Sequence, residues 1–171
     1  MKHILFLIFI VMLSGCTDKT KLLRTGNTSI TLDTSKSIYI SIPKDGRYGN
    51  SNYQGSGTNT SQIILMAFSK YSNLVETGHQ YQSFRSSLAY AKKNSYKYLI
   101  FPTILEWEDR STEWSGIPDK ASIKLVIVDV ASSKVMDSII IKGKSGLATF
   151  GGDHPQDLLL KPIKEYTRTI F

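Results

Sequence analysis

"KASIKLVIVDVASSKVMDSIIIKGKS", residues 120–145, holds two alternating apolar runs separated by four small or polar residues. Ile123, Leu125 and Ile127 fall on one face of the first run, and the second carries Val135 to Ile141. Period-two alternation on both sides of Ala131-Ser132-Ser133-Lys134 predicts a β-hairpin. Upstream, "YKYLIFPTILEWED", 96–109, is the most apolar run of this kind. Leu99, Phe101, Thr103 and Leu105 take one face, and Tyr98, Ile100 and Ile104 the other. Apolar residues on both faces predict a central strand. Pro102 lacks a ladder donor, so a bulge or bend is expected there.

Further upstream the period changes. "QSFRSSLAYAKKNS", 82–95, has helical spacing through Phe84, Leu88 and Ala91, and "NLVETG", 73–78, reads as a short strand ended by Gly78. Ile64, Ala67, Phe68 and Tyr71 follow i, i+3, i+4, i+7, which predicts a helix with one apolar face, capped by Thr58 or Thr60. "KDGRYGNSNYQGSGTN", 44–59, has loop composition. "SIYISIP", 37–43, alternates as a strand closed by Pro43. At the other end, "HPQDLLLKPIKEYTRTIF", 154–171, predicts a turn near 156–160 and then a helix from Pro162, because proline interrupts a helix interior. Asp153 or His154 is the expected cap.

The resulting order is β-α-β-α-β-β-β-α. It predicts an α+β fold: a single mixed αβ domain with a four- to five-stranded sheet and helices packed mainly on one side. Residues 31–171 form this expected domain. Residues 16–30, polar and irregular, read as a tether.

Residues 1–15 have a different character. Lys2 precedes ten consecutive apolar residues, Ile4 to Leu13. As a helix that run would span about 15 Å, half of a bilayer core, which suits a signal peptide rather than a membrane span. Leu13-Ser14-Gly15-Cys16 follows and resembles the lipobox of bacterial lipoproteins. The resemblance implies cleavage between Gly15 and Cys16 and lipidation of Cys16. Cys16 is the only cysteine, so no disulfide is expected and stability must come from the core. Thr17 stands where, in enterobacterial lipoproteins, an aspartate resembles an inner-membrane retention signal, which points to the outer membrane; the domain is separately expected to face the periplasm.

The chain has 21 basic and 14 acidic residues. Such a balance often marks a nucleic-acid binder, but an exported domain meets none, and no nucleic-acid partner is expected. Anionic headgroups and cell-wall polymers are the acidic neighbours available. Lys19, Lys21 and Arg24 cluster beside Cys16, where each basic residue near an anionic surface contributes about 1 kcal/mol.

Two loops concentrate chemistry. "EWEDRSTEWSGIPD", 106–119, carries five carboxylates, Arg110, Trp107 and Trp114. Paired carboxylates beside an aromatic are a glycosidase pattern, and carboxylates with His154 are a metal-ligand set. Against both, strand alternation puts Glu106 and Glu108 on one face with Trp107 on the other, and Asp109 beside Arg110 reads as an ion pair that fixes the loop. "GRYGNSNYQGSG", 46–57, mixes Arg47, Tyr48 and Tyr53 with glycines. Tyrosines make good contact anchors. In "GGDHPQD", 151–157, Asp153 and His154 form a potential acid–base pair, without a nucleophile in a recognisable frame. Gly151-Gly152 lacks the Lys-Ser/Thr of a P-loop, so no cofactor is expected. The candidate partner or ligand surface is Arg47, Tyr48, Tyr53, Trp107, Glu108, Asp109, Arg110, Trp114, Asp153 and His154. Both loops follow strands and are expected at one end of the sheet.

The strand-helix order resembles an envelope module found in the curli-export lipoprotein, in lipoprotein activators of penicillin-binding proteins and in the N-terminal domain of the Tol-system propeller protein. Three strings carry a more specific resemblance: "DGRYG" at Asp45–Gly49, "FPTILEWEDRSTEWSGIPD" at Phe101–Asp119 and "ATFGGDHPQDLL" at Ala148–Leu159. They are similar to hallmark strings of a family of small Gram-negative lipoproteins catalogued as a domain of unknown function. That resemblance implies membership but no activity. The combined expectation is a membrane-anchored envelope lipoprotein, held through lipid on Cys16. It acts as a non-enzymatic binding or assembly accessory to an envelope protein or cell-wall component. The alternative is a carbohydrate-directed enzyme or glycan-binding module using residues 106–119.

Overall fold

The computed structural model describes residues 18–24, 29–109, 117–146 and 154–171. Strands β1 (Lys19–Arg24), β2 (Ile38–Ile42), β5 (Val75–Tyr81), β6 (Tyr98–Glu108), β7 (Lys120–Asp129) and β8 (Lys134–Lys144) form one mixed sheet. Its spatial order is β1-β8-β7-β6-β2-β5. Strands β3 (Arg47–Tyr48) and β4 (Ser51–Asn52) form a separate small hairpin. Helices α1 (Ser56–Phe68), α2 (Phe84–Lys93) and α3 (Asp157–Arg168) complete the fold. The predicted β-α-β-α-β-β-β-α series is present in order as β2-α1-β5-α2-β6-β7-β8-α3. The sheet has six strands rather than four or five, because residues 19–24, read as tether, pair antiparallel with β8.

Strand β2 pairs in parallel with both β5 and β6. The crossover β2-α1-β5 therefore moves toward one edge, and β5-α2-β6 moves back across β2. Crossovers of one hand running in opposite directions put their helices on opposite faces. That is the observed arrangement. On one face α1 and α3 cover Ile38, Ile40, Ile100, Ile123, Leu125, Ile127, Ile139 and Ile141. On the other, α2 covers Tyr39, Leu99 and Val128 through Ala91 and Leu88.

The hairpin predicted from residues 120–145 forms as β7 and β8. At its turn Ser133 is left-handed, and the Asp129 carboxylate accepts from the Ser132 N–H and hydroxyl, both at 2.8 Å. Pro102 does not make the bulge. Pairing of β6 with β2 ends at Ile100, so at Pro102 one side of β6 has no ladder partner, and Pro102 faces Leu125 of β7 in regular register. The register shift falls between Ile104 and Glu106. Strand β5 runs past Gly78 because Tyr81 pairs with Ile42.

Helix α3 also differs from expectation. It is one piece with Pro162 inside. Pro162 cannot donate to the Leu158 carbonyl and its ring crowds that carbonyl, together a cost of about 3 kcal/mol in a helix interior. Leu158, Leu159, Ile163 and Tyr166 are buried by the same helix, each worth roughly 1.5–3 kcal/mol, so packing outweighs that cost. The approach is close. A Cβ on Gly143 would lie 2.6 Å from Leu158 Cβ and 3.0 Å from its carbonyl oxygen.

Strand β1 is held at its end by a buried polar cluster. Arg24 reaches Asp137 Oδ2 at 3.1 Å, and the Tyr166 hydroxyl donates to the same oxygen at 2.9 Å. Burial, then the Asp137 charge, push the Tyr166 hydroxyl pKa well up.

Candidate functional site

The two loops singled out in the sequence meet at one end of the sheet. Strand β2 exits through Pro43 into the β3–β4 hairpin and the start of α1. Strand β6 ends beside it at Trp107 and Glu108. The contact is intimate: a Cβ on Gly46 would lie 2.5 Å from Trp107 Cβ and 2.9 Å from its Cγ. Only a residue without a side chain lets the loop cross the strand here. The Tyr53 hydroxyl donates to the Asp109 carbonyl at 3.2 Å and ties the loops a second time.

Asp45 organises the turn into α1. Its carboxylate accepts from the N–H groups of Gly55 at 3.2 Å and Gly57 at 2.8 Å. These are donors at the start of the helix, so Asp45 serves as the cap, not Thr58 or Thr60. A carboxylate there also complements the helix dipole. Ser56 is buried. Its hydroxyl accepts from the Gly46 N–H at 2.8 Å and donates to the Tyr53 carbonyl at 2.7 Å. That hydroxyl is committed to the loop's shape.

Between the loops and the start of α3 lies an open cleft of about 400 Å³. Its lining includes Asn52, Tyr53, Asn59, Asp109, His154 and Gln156. His154 Nδ1 stands 3.6 Å from Asp109 Oδ2, a charge pair when the imidazole is protonated. The His154 N–H donates to Asp157 Oδ2 at 3.2 Å, and Gln156 is the N-cap of α3. The cleft thus offers amides, a carboxylate, an imidazole and a phenol ring. Among the described residues no group of three His, Cys, Asp or Glu side chains is placed to hold a metal.

The sequence-predicted surface divides. Tyr53, Trp107, Asp109 and His154 come together at the cleft. Arg47 and Tyr48 are exposed on the β3 hairpin strand and do not line it. Trp107 is a core residue, 2% exposed, with its ring packed in the main hydrophobic cluster. Glu108 is 3% exposed and points to the opposite face, where Lys120 Nζ lies 3.2 Å from it and 3.8 Å from Glu106. Trp107 nonetheless forms part of the cleft wall, whereas Glu108 does not line it. The pairing of both glutamates with one lysine is the shared face that alternation predicted. Gly15, Cys16, Arg110, Trp114 and Asp153 lie outside the described residues, so the expected Asp109–Arg110 pair and the Asp153 cap do too. Asn52, Asn59 and Gln156 were missed. Amides in polar loops carry no sequence signal, and only the meeting of the β3–β4 hairpin, α1 and the start of α3 at the cleft brings them together.

No helix among the described residues is long and apolar enough to cross a membrane. The fold recurs among solved structures at low identity. PelC of Paraburkholderia phytofirmans, described as a dodecamer, matches with a TM-score of 0.66 at 10% identity, over 89% of this chain and 97% of that one. Protein XCC0632 of Xanthomonas campestris, a DUF330 protein, matches with a TM-score of 0.52 at 11% identity, over 84% and 91%. Lipoprotein GNA1162 of Neisseria meningitidis matches with a TM-score of 0.44 at 14% identity, over 78% and 98%. At these identities the first two speak for the fold alone. No curated protein matches the chain. A family model described as "Domain of unknown function (DUF4823)" matches residues 30–170, and the chain belongs to that family.

Proposed function

We propose that this protein is a lipoprotein of the bacterial cell envelope that works as a non-enzymatic binding or assembly accessory. In this reading Cys16 carries the lipid, the outer membrane holds the anchor, and the cleft between the 46–57 loop, Asp109 and His154 receives the partner. One observation carries the binding role: two loops distant in sequence are locked together by Gly46–Trp107 and Tyr53–Asp109 contacts, which fixes a polar cleft on rigid elements. Preformed concave sites with a few convergent polar groups are the usual form of a recognition site. The dodecameric state of the like-folded PelC supports assembly as a use of this architecture.

A second reading, glycan binding, draws support from the lining. Asn52, Asn59, Gln156 and Asp109 offer the donors and acceptors that sugar hydroxyls match.

A photo-crosslinking residue at Asn59 in intact cells tests the proposal, with a control at Lys93 on α2. A discrete protein adduct specific to Asn59 is the expected result. Crosslinks to glycan alone favour the second reading, and none above the control overturns both. Cys16→Ser tests the anchor separately: the variant should lose acyl chains and leave the membrane fraction.

A further inference from the structure

Helix α2 covers its face only over β2, β6 and the Val128 end of β7, through Tyr39, Leu99 and Val128. The rest of β7, with β8 and β1, carries no described helix. Register and alternation give its composition. Lys19 pairs with Lys144, Lys21 with Lys142 and Leu23 with Ile140. Lys144 in turn pairs with Lys120, Lys142 with Ser122 and Ile140 with Lys124. All of these alternate with the core residues Ala121, Ile123, Leu125, Ile139 and Ile141, so they share the face away from α1 and α3.

Lys19, Lys21, Lys142 and Lys144 are exposed and Lys124 is half-buried. Among the described residues, no carboxylate stands within ion-pair distance of any of the five. The acids of this face, Glu106 and Glu108, are engaged by Lys120. Asp18 sits at its edge and accepts from the Gly146 N–H at 3.2 Å. Arg24 does not contribute. It turns to the other face and pairs with Asp137. The basic cluster beside Cys16 is therefore regrouped by the fold. Two of its three members join three lysines from more than a hundred residues downstream.

We propose that this lysine face rests on an anionic membrane surface. The proposal rests on Cys16 as the anchor. Lys19 is three residues from Cys16, at most about 11 Å of extended chain, roughly one Debye length at physiological salt. The anchor thus keeps Lys19, at the start of β1, near the headgroup zone, and the face meets the bilayer lysines first. Leu23 and Ile140, side by side among the lysines, suit the headgroup boundary. Docking on this face turns α1 and α3 away from the membrane and leaves the cleft on their side, at the end of the sheet where β1 begins.

Lysine footprinting tests this on the acylated protein in vesicles. A membrane-impermeant amine reagent is applied to protein in phosphatidylcholine vesicles with or without phosphatidylglycerol. Lys19, Lys21, Lys142 and Lys144 should be protected about fivefold or more in the anionic vesicles, and the protection should fade in high salt. Lys70 and Lys164 on the α1–α3 side should not change. The double variant Lys142→Glu, Lys144→Glu should restore reactivity at Lys19 and Lys21. Equal reactivity in both vesicles, with the protein retained, overturns the docking and leaves the anchor standing. Protein that carries no acyl chain and is not retained by neutral vesicles overturns the anchor. Retention by anionic vesicles would then still support the lysine face, and its absence would overturn it. Protection by a soluble polyanion but not by anionic vesicles would make the face a polymer site and overturn the membrane proposal.

Discussion

Gly46→Ala is the sharpest test of how the loop is seated on β6. The added Cβ would fall 2.5 Å from Trp107 Cβ, 2.9 Å from Trp107 Cγ and 3.1 Å from Ile104 Cγ2. Carbon atoms in contact sit about 3.5–4.0 Å apart, so the loop and strand must separate by about 1 Å. A rotamer change cannot relieve this, because Trp107 Cβ is fixed to the strand backbone. The loop is also pinned from behind, with the Gly46 N–H on Ser56 Oγ at 2.8 Å and the Gly46 carbonyl accepting from the Tyr53 N–H at 3.0 Å. Overpacking costs about 1–3 kcal/mol, and a clash between backbone-anchored atoms belongs in the upper half of that range. At roughly 2–4 °C per kcal/mol for a chain of this size, Tm should fall by about 5–10 °C. Urea unfolding followed by circular dichroism should show a lower midpoint with an unchanged slope. The cost should persist in a Trp107→Phe background, which keeps both offending atoms. A midpoint equal to that of the parent, or a cost that vanishes in the Trp107→Phe background, would refute the reasoning.

Tyr166→Phe removes one of the three donors to the buried Asp137 carboxylate, the others being Arg24 and the Ser138 N–H, and should destabilise by about 1–3 kcal/mol. Because Arg24 shares Asp137 Oδ2, Arg24→Ala combined with it should be non-additive in a double-mutant cycle. The Asp129 carboxyl is held well below the usual carboxylate range, first by its hydrogen bond to Lys97 and then by Ser132. Its contribution is present above the unfolded value near pH 4 and lost as pH falls, so Asp129→Asn should flatten the acid limb of a Tm–pH profile. Tyr39, Tyr96 and Tyr166 are all pushed up, each chiefly by burial. Their contribution is intact below about pH 10 and lost above it. Alkaline unfolding should therefore begin near pH 10, and Tyr96→Phe should make it shallower in the same profile.

The elements with sustained periodicity were legible from residue order. Alternation over 120–145 gave the hairpin, and it assigned Tyr98, Ile100 and Ile104 to the face opposite Leu99 and Phe101. The i, i+3, i+4 spacing gave α1 with Ile64, Ala67 and Phe68 inside. What failed was chemistry read one residue at a time. Pro162 argued for a break, but four buried side chains on the same helix outweigh its cost. Thr58 and Thr60 are suitable cap types, yet Asp45, ten residues before Gly55, holds the donors. Trp107 and Glu108 stand in the densest run of charged and aromatic residues, and both are buried.

Lys19 to Arg24 show the limit most clearly. An edge strand made of two lysines, a threonine, two leucines and an arginine has no core-facing pattern of its own, and all six residues are exposed. Its ladder bonds with β8 and the Arg24–Asp137 contact give it structure, and both partners lie more than a hundred residues away. Residue order alone determined the element series, the apolar faces and the resemblance to a lipoprotein leader, because these depend on periods of two or four residues and on contiguous strings. Tertiary structure decided the sixth strand, the cleft and the lysine face. Each is a juxtaposition of segments distant in the chain, and its energy exists only once the sheet has set their register.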